Sequence, residues 1–245
     1  MNARSDGGPG GALDGAVVVV TGAGGGAGGA VVRQLAAAGA TVVMADRDAG
    51  KLQPLADEVA AAGGAAHGYA VDLLDDDATR TWAASVRERF GRVDGVAHLV
   101  GGWRGGKGIT ETDLADWAWL SDLLVRTVQH TTRAFHDALR ASPAGRFVLV
   151  SAAAASRPTA TNASYAAAKA AAEAWTLAMA DSFRGSSAAA VVVVVNALVT
   201  PAMRAAKPDS PFTGFTDVDD LAAEIVGLWA RPADEINGER LWLTE

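Results

Sequence analysis

Short apolar runs alternate with longer segments of helical periodicity from Ala16 onward. The runs fall at 16–20 (AVVVV), 41–45 (TVVMA), 66–71, 94–100 (DGVAHLV), 146–150 (RFVLV), 189–195 (AAVVVVV) and 239–243, and they predict seven strands. The periodic segments predict helices near 27–38, 48–62, 75–90, 113–141, 163–184 and 217–230. A helix between two strands carries the chain back to the starting edge of the sheet. The strands therefore pair in parallel and the helices cover both faces. The β-branched run Val191 to Val195 suits a strand buried on both sides. Asp75 and Asp217 stand where N-caps belong, and Gly39 and Gly91 where left-handed stops belong. No repeat and no linker rich in Pro or Ser divides the chain, so residues 13–245 are expected to form one doubly wound α/β domain. Residues 1–12 (MNARSDGGPGGA) have no apolar stretch and no cleavage-site pattern, and are expected to be a disordered tail.

Composition narrows the function. With Lys+Arg 21 against Asp+Glu 28, the net charge of −7 repels phosphate backbones, and nucleic acid is not an expected partner. The absence of cysteine excludes disulfides, thiolate metal sites and cysteine nucleophiles, and fits a reducing cytoplasm. The longest unbroken apolar run, Ala188 to Val195, is eight residues. A membrane-spanning helix needs roughly 20, so none is expected. His67, His98, His130 and His136 show no metal spacing. Asp75, Asp76 and Asp77 open a predicted helix, where they cap it and complement its dipole rather than bind a metal.

The first strand runs into Thr21-Gly22-Ala23-Gly24-Gly25-Gly26-Ala27-Gly28, followed at once by a helix. Glycines at such a turn let the backbone approach a pyrophosphate whose charge faces the helix N-terminus. No Lys follows, so this is not a triphosphate P-loop. The second strand ends at Asp46, where a carboxylate accepts hydrogen bonds from an adenosine ribose diol. The two features together predict a Rossmann-like dinucleotide site. A carboxylate at position 46 repels a 2′-phosphate, which favours NADH over NADPH, although Arg47 beside it is a cation that would accommodate one. Asp72, after the third strand, either holds the adenine edge or caps a turn.

Tyr165-Ala-Ala-Ala-Lys169 opens a helix after the fifth strand. With Thr21 to Gly28, Asp46 and Asp72, it makes the chain resemble the short-chain dehydrogenase/reductase family over nearly its whole length. The resemblance implies a cofactor half at about 13–110 and a catalytic and substrate half at about 111–245. It implies Tyr165 as proton donor or acceptor and Lys169 as a contact of the nicotinamide ribose. An ammonium four residues on shares a helix face with the phenol, and is expected to lower its pKa. Leu73, Gly101, Gly102 and Thr200 complete the implied cofactor set beside Thr21, Gly22, Gly24, Gly26 and Gly28. Segment 200–215 corresponds to the family's substrate lid and is expected to be disordered or highly mobile without ligand. The implied assembly is a homodimer or homotetramer through helices 113–141 and 163–184.

Three departures bear on the reaction. Ala152 stands at the family's catalytic Ser; Ser151, one residue earlier on a strand, is expected to point the other way. The family's helical Asn falls on Leu124, and its N-N-A-G is replaced by His98-Leu99-Val100-Gly101. One branch, the quinonoid dihydropteridine reductases, is similar in these departures and in the motif Gly101-Gly102-Trp103-Arg104-Gly105-Gly106. That resemblance implies hydride transfer from NADH to a conjugated imine or quinonoid ring, with Trp103, Ala152 and Met203 against the substrate. Trp103 either stacks on a flat ring or anchors its loop. Two other readings stay open: a ketone or alcohol oxidoreductase using Ser156, Thr159 or Ser164 as substitute donor, and a non-catalytic NAD-binding partner subunit.

Overall fold

The computed structural model describes residues 11–244. Seven strands, β1 (Val17–Thr21), β2 (Thr41–Asp46), β3 (Ala65–Ala70), β4 (Gly95–His98), β5 (Arg146–Ala152), β6 (Ala189–Val195) and β9 (Arg240–Trp242), form a parallel sheet. Its order is β3-β2-β1-β4-β5-β6-β9. Each predicted strand is present, with ends displaced by a residue or two and β4 ending earlier, at His98.

Alternation along the strands builds two cores. Val18, Val20, Val42, Met44, Val191 and Val193 face α1 (Gly28–Ala37), α2 (Leu52–Ala61) and α8 (Val218–Gly227). Val17, Val19, Val43, Val192 and Val194 face α3 (Asp76–Phe90), α5 (Thr127–Ala141) and α6 (Ala163–Ser182). β6 is buried at every position, as its run of β-branched residues requires. Asp75 caps α3 by accepting from Ala78 N–H at 2.9 Å, and Asp217 caps α8 by accepting from Asp219 N–H at 3.0 Å. Gly91 ends α3 at φ +75°.

Four expectations need correction. Residues 1–10 of the expected tail lie outside the described residues, but Gly11 and Ala12 lead into a turn, with Asp14 N–H donating to the Gly11 carbonyl. The helix expected over 113–141 is not regular: α4 (Leu114–Ser121) and α5 are joined by a π turn at Asp122–Arg126. The start of the helix expected at 48–62 is a 3-10 turn at Ala49–Lys51. Segment 200–215 is folded rather than disordered. Thr200 caps α7 (Pro201–Ala206), and a two-stranded sheet of β7 (Ala197–Val199) and β8 (Phe215–Asp217) ties the segment's two ends together. A short α9 (Ala233–Ile236) precedes β9. No helix among the described residues is long and apolar enough to cross a membrane.

Candidate active site

The sheet order reverses between β1 and β4, and open α/β sheets bind ligands beyond the carboxyl ends of their strands at such a point. Here the strand ends open into one cleft of about 580 Å³.

Its first wall is the turn from β1 into α1. Gly22, Gly25, Gly26 and Ala27 line the cleft. Gly22 has φ +70°, and a Cβ there would lie 2.9 Å from the Val100 amide nitrogen. A Cβ on Gly28 would meet the Ala23 carbonyl at 2.0 Å, so this glycine lets α1 seat on the turn and does not itself line the cleft. Gly24 and Thr21 are also outside the lining. The Gly24 amide donates to Asp46 Oδ2 (3.1 Å), while Thr21 is buried beneath the floor. Gly25 and Ala27, which the motif spacing passes over, take their places.

α1 begins without a side-chain cap. The residues just before it, Gly25, Gly26 and Ala27, line the cleft, so the positive end of the α1 dipole adjoins it, as a dinucleotide pyrophosphate requires. Asp46 and Arg47 stand at the end of β2, and Asp72 and Leu73 follow β3, all in the lining. Asp72 Oδ1 accepts from Leu74 N–H at 3.0 Å, so this carboxylate does cap its turn while bordering the cleft. The residues present thus fit a nicotinamide dinucleotide.

The second wall holds the chemistry. Gly101, Gly102, Trp103, Ala152, Tyr165, Lys169, Thr200 and Met203 all line the cleft. Trp103 is 59% exposed, more than a packed loop anchor would be. Lys169 is buried and donates to the Val150 carbonyl at 2.9 Å. Burial pulls its ammonium down to about 8, against the opposing pull of Glu173. The expected lowering of the Tyr165 pKa is not found. Burial dominates and pushes the phenol up to about 12.

Ser151 shares the strand face of Phe147 and Leu149, towards α6, and its hydroxyl donates to Glu173 Oε1 at 2.6 Å. Ser151 and Ala152 both border the cleft, and Ala152, buried in its wall, brings no hydroxyl. Leu124 packs on Leu120 and Ala168, and its neighbour Leu123 lines the cleft. Ser156, Thr159 and Ser164 do not line the cleft. Ser164 borders a separate small cavity beside Arg104 and Asp116, and Ser156 bonds the Ala153 carbonyl. Trp117 and Trp119 are outside the lining as well; Trp119 lies under the Arg104 guanidinium, 4.1 Å from its ring centre.

Asn196 and Thr127 are lining residues that motif reasoning missed. No motif pointed to Asn196, which directly follows the last residue of β6. Beneath the floor, the Thr127 hydroxyl donates to the Leu123 carbonyl (2.7 Å), so its oxygen accepts from His98 Nε2–H (3.2 Å). His98 Nδ1 then accepts from the Thr21 hydroxyl (2.8 Å), which fixes a neutral imidazole. Burial, with the Lys169 charge second, pushes the His98 pKa down to about 3.

Comparison with known proteins decides the family. The short chain dehydrogenase family model matches residues 16–211, which is most of the chain. The chain belongs to this family. It is 32% identical over 140 residues to a short chain dehydrogenase of Pseudocercospora fijiensis, a match covering 57% of this chain and 45% of that one. It thus spans under half the length of that curated relative. A short-chain type dehydrogenase/reductase structure from Mycobacterium ulcerans superposes with a TM-score of 0.85 at 25% identity, covering 94% of this chain and 89% of its own. A metagenomic short-chain oxidoreductase in complex with NADP does so with a TM-score of 0.77 at 28% identity, covering 94% and 99%.

Proposed function

We propose that the protein uses NADH to reduce a conjugated imine or quinonoid ring, of which quinonoid dihydropterin is the type, with Tyr165 as the proton donor. The observation that carries this reading is which hydroxyls the cleft holds. Of the four side chains that bring one, Thr127 donates to Leu123 and Ser151 donates to Glu173, while Thr200 accepts from Met203 N–H as the cap of α7 and keeps its proton. Tyr165 is the hydroxyl that shares a helix face with Lys169, and Ala152 fills the place of the family's second donor.

Reduction of a ketone gathers charge on one oxygen, where a missing donor costs on the order of 3 kcal/mol. A quinonoid ring spreads the same charge over several atoms and needs less help at any one of them. Bound NADH supplies the hydride. A phenol held near 12 stays protonated across the neutral range, which suits a donor in the reductive direction. The Lys169 ammonium, on the same face of α6, stabilises the phenolate left behind. Trp103, exposed at the cleft, offers a flat apolar face to a heterocycle, and Met203 adds a second apolar side chain to the lining.

NADH is assigned because both Asp46 oxygens are fixed, Oδ2 by the Gly24 amide and Oδ1 by the Asp48 amide, which holds negative charge beside the ribose position. A 2′-phosphate is repelled there. The similar metagenomic enzyme is described in complex with NADP, and the exposed Arg47 is the cation that would serve a phosphate in this chain.

The test is NADH oxidation with quinonoid dihydropterin generated in situ, the uncatalysed rate subtracted. Tyr165→Phe is expected to lower turnover by roughly 100-fold or more while leaving NADH affinity within about twofold. A variant that still turns over removes Tyr165 as the donor.

A further inference from the structure

Glu173 is buried on α6, one helical turn beyond Lys169, and faces the end of β5. Both of its oxygens are engaged. Oε1 accepts from Ser151 Oγ at 2.6 Å and Oε2 accepts from Arg240 Nε at 2.7 Å. Lys169 itself donates to the carbonyl of Val150, the residue next to Ser151. Two successive residues of β5 thus hold the cation and its neighbouring anion, one through the backbone and the other through the side chain. A buried carboxylate left unpaired is costly, and double anchoring of this kind fixes its place.

We propose that Glu173 is a positioning residue for the active site: pinned by Ser151 and Arg240, it keeps the Lys169 ammonium charged beside Tyr165. The inference rests on the catalytic reading of Tyr165 and Lys169 given above. It also gives Ser151 a role, since the hydroxyl next to the vacated serine position serves the lysine through Glu173. The groups that face Lys169 are Tyr165 and Glu173 on its own helix, His98 on β4 and the Val150 carbonyl on β5, with Arg240 on β9 acting through Glu173. His98 is neutral and Arg240 is spent on the carboxylate, which leaves Glu173 as the anion that opposes the pull of burial on the lysine.

The experiment follows the four lysines by side-chain nitrogen NMR in protein labelled with 15N-lysine, alongside the pH profile of NADH oxidation. Lys169→Met identifies the Lys169 signal. In Glu173→Gln, the Lys169 titration and the alkaline limb of kcat/KM are both expected to move down by about one pH unit; activity then falls about eightfold at pH 8.5 and under twofold at pH 6. A purely structural role would instead lower activity equally at all pH values. Ser151→Ala, which removes only one anchor, is expected to move both in the same direction by less, and it serves if the first variant does not fold. An unmoved Lys169 titration in a folded variant overturns the inference while leaving the proposed reaction intact. A moved titration in a protein with no NADH oxidation upholds the link and overturns the reaction.

Discussion

His98 sits at the end of β4 with both ring nitrogens engaged by threonine hydroxyls, so a proton can be added only by breaking one of those bonds inside a dry core. Its pKa falls from 6.5 to about 3 on folding. The unfolded chain therefore takes up a proton below pH 6.5 that the folded protein refuses until about pH 3. Stability is full above pH 6.5 and is lost progressively as pH falls through that window. Between pH 6.5 and pH 4 the loss is about 3 kcal/mol. His98→Asn is expected to flatten this dependence in urea titrations, and an unchanged slope would show that the imidazole does not carry it. The replacement of N-N-A-G was visible in the sequence, but its consequence was not, because the partners Thr21 and Thr127 are 77 and 29 residues away. The orientation of Ser151 was legible in part: strand alternation turns its hydroxyl towards Glu173, although the residue still borders the cleft. The direction of the Tyr165 shift was not, because it depends on burial, which i,i+4 spacing does not reveal.

At the scale of elements, the π turn at Asp122–Arg126 is the feature that most changes the site. One extra residue per turn rotates the helix, so that Leu123 meets the cleft and Leu124 turns inward onto Leu120 and Ala168. Restoring the family's side chain by Leu124→Asn places an amide at a position only 2% exposed. The expected cost is about 2 kcal/mol in thermal or urea unfolding. A variant as stable as the parent would contradict this packing of the π turn. Apolar periodicity over 113–141 showed one helix because a single inserted residue shifts the pattern by less than the window resolves. The strands β7 and β8 escaped for a related reason: three residues are too few to show alternation. The folded lid follows from them, with Arg204 of α7 reaching Asp217 at 3.1 Å.

Across the whole molecule, the seven-stranded sheet was legible because a parallel sheet buried on both faces leaves continuous β-branched runs, as in β1 and β6. At the cofactor end the position of the turn was legible but not which of its residues face the cleft: Gly22 and Gly26 do, while Thr21, Gly24 and Gly28 give way to Gly25 and Ala27. The substrate end was less legible. Its lining comes from separate segments of the chain, Gly101 to Trp103, Leu123, Asn196 and Met203, which only the assembled fold brings together. The central claim is that a cleft with one free phenol selects a delocalised acceptor. It is tested by comparing kcat/KM for quinonoid dihydropterin with that for a panel of ketones, NADH and NADPH in parallel, in the parent and in Ala152→Ser. Saturable NADH-dependent turnover of the pterin, ketone rates at least about 100-fold lower, and a ketone gain in Ala152→Ser are predicted. Ketone reduction by the parent at rates equal to or above those for the pterin would contradict it.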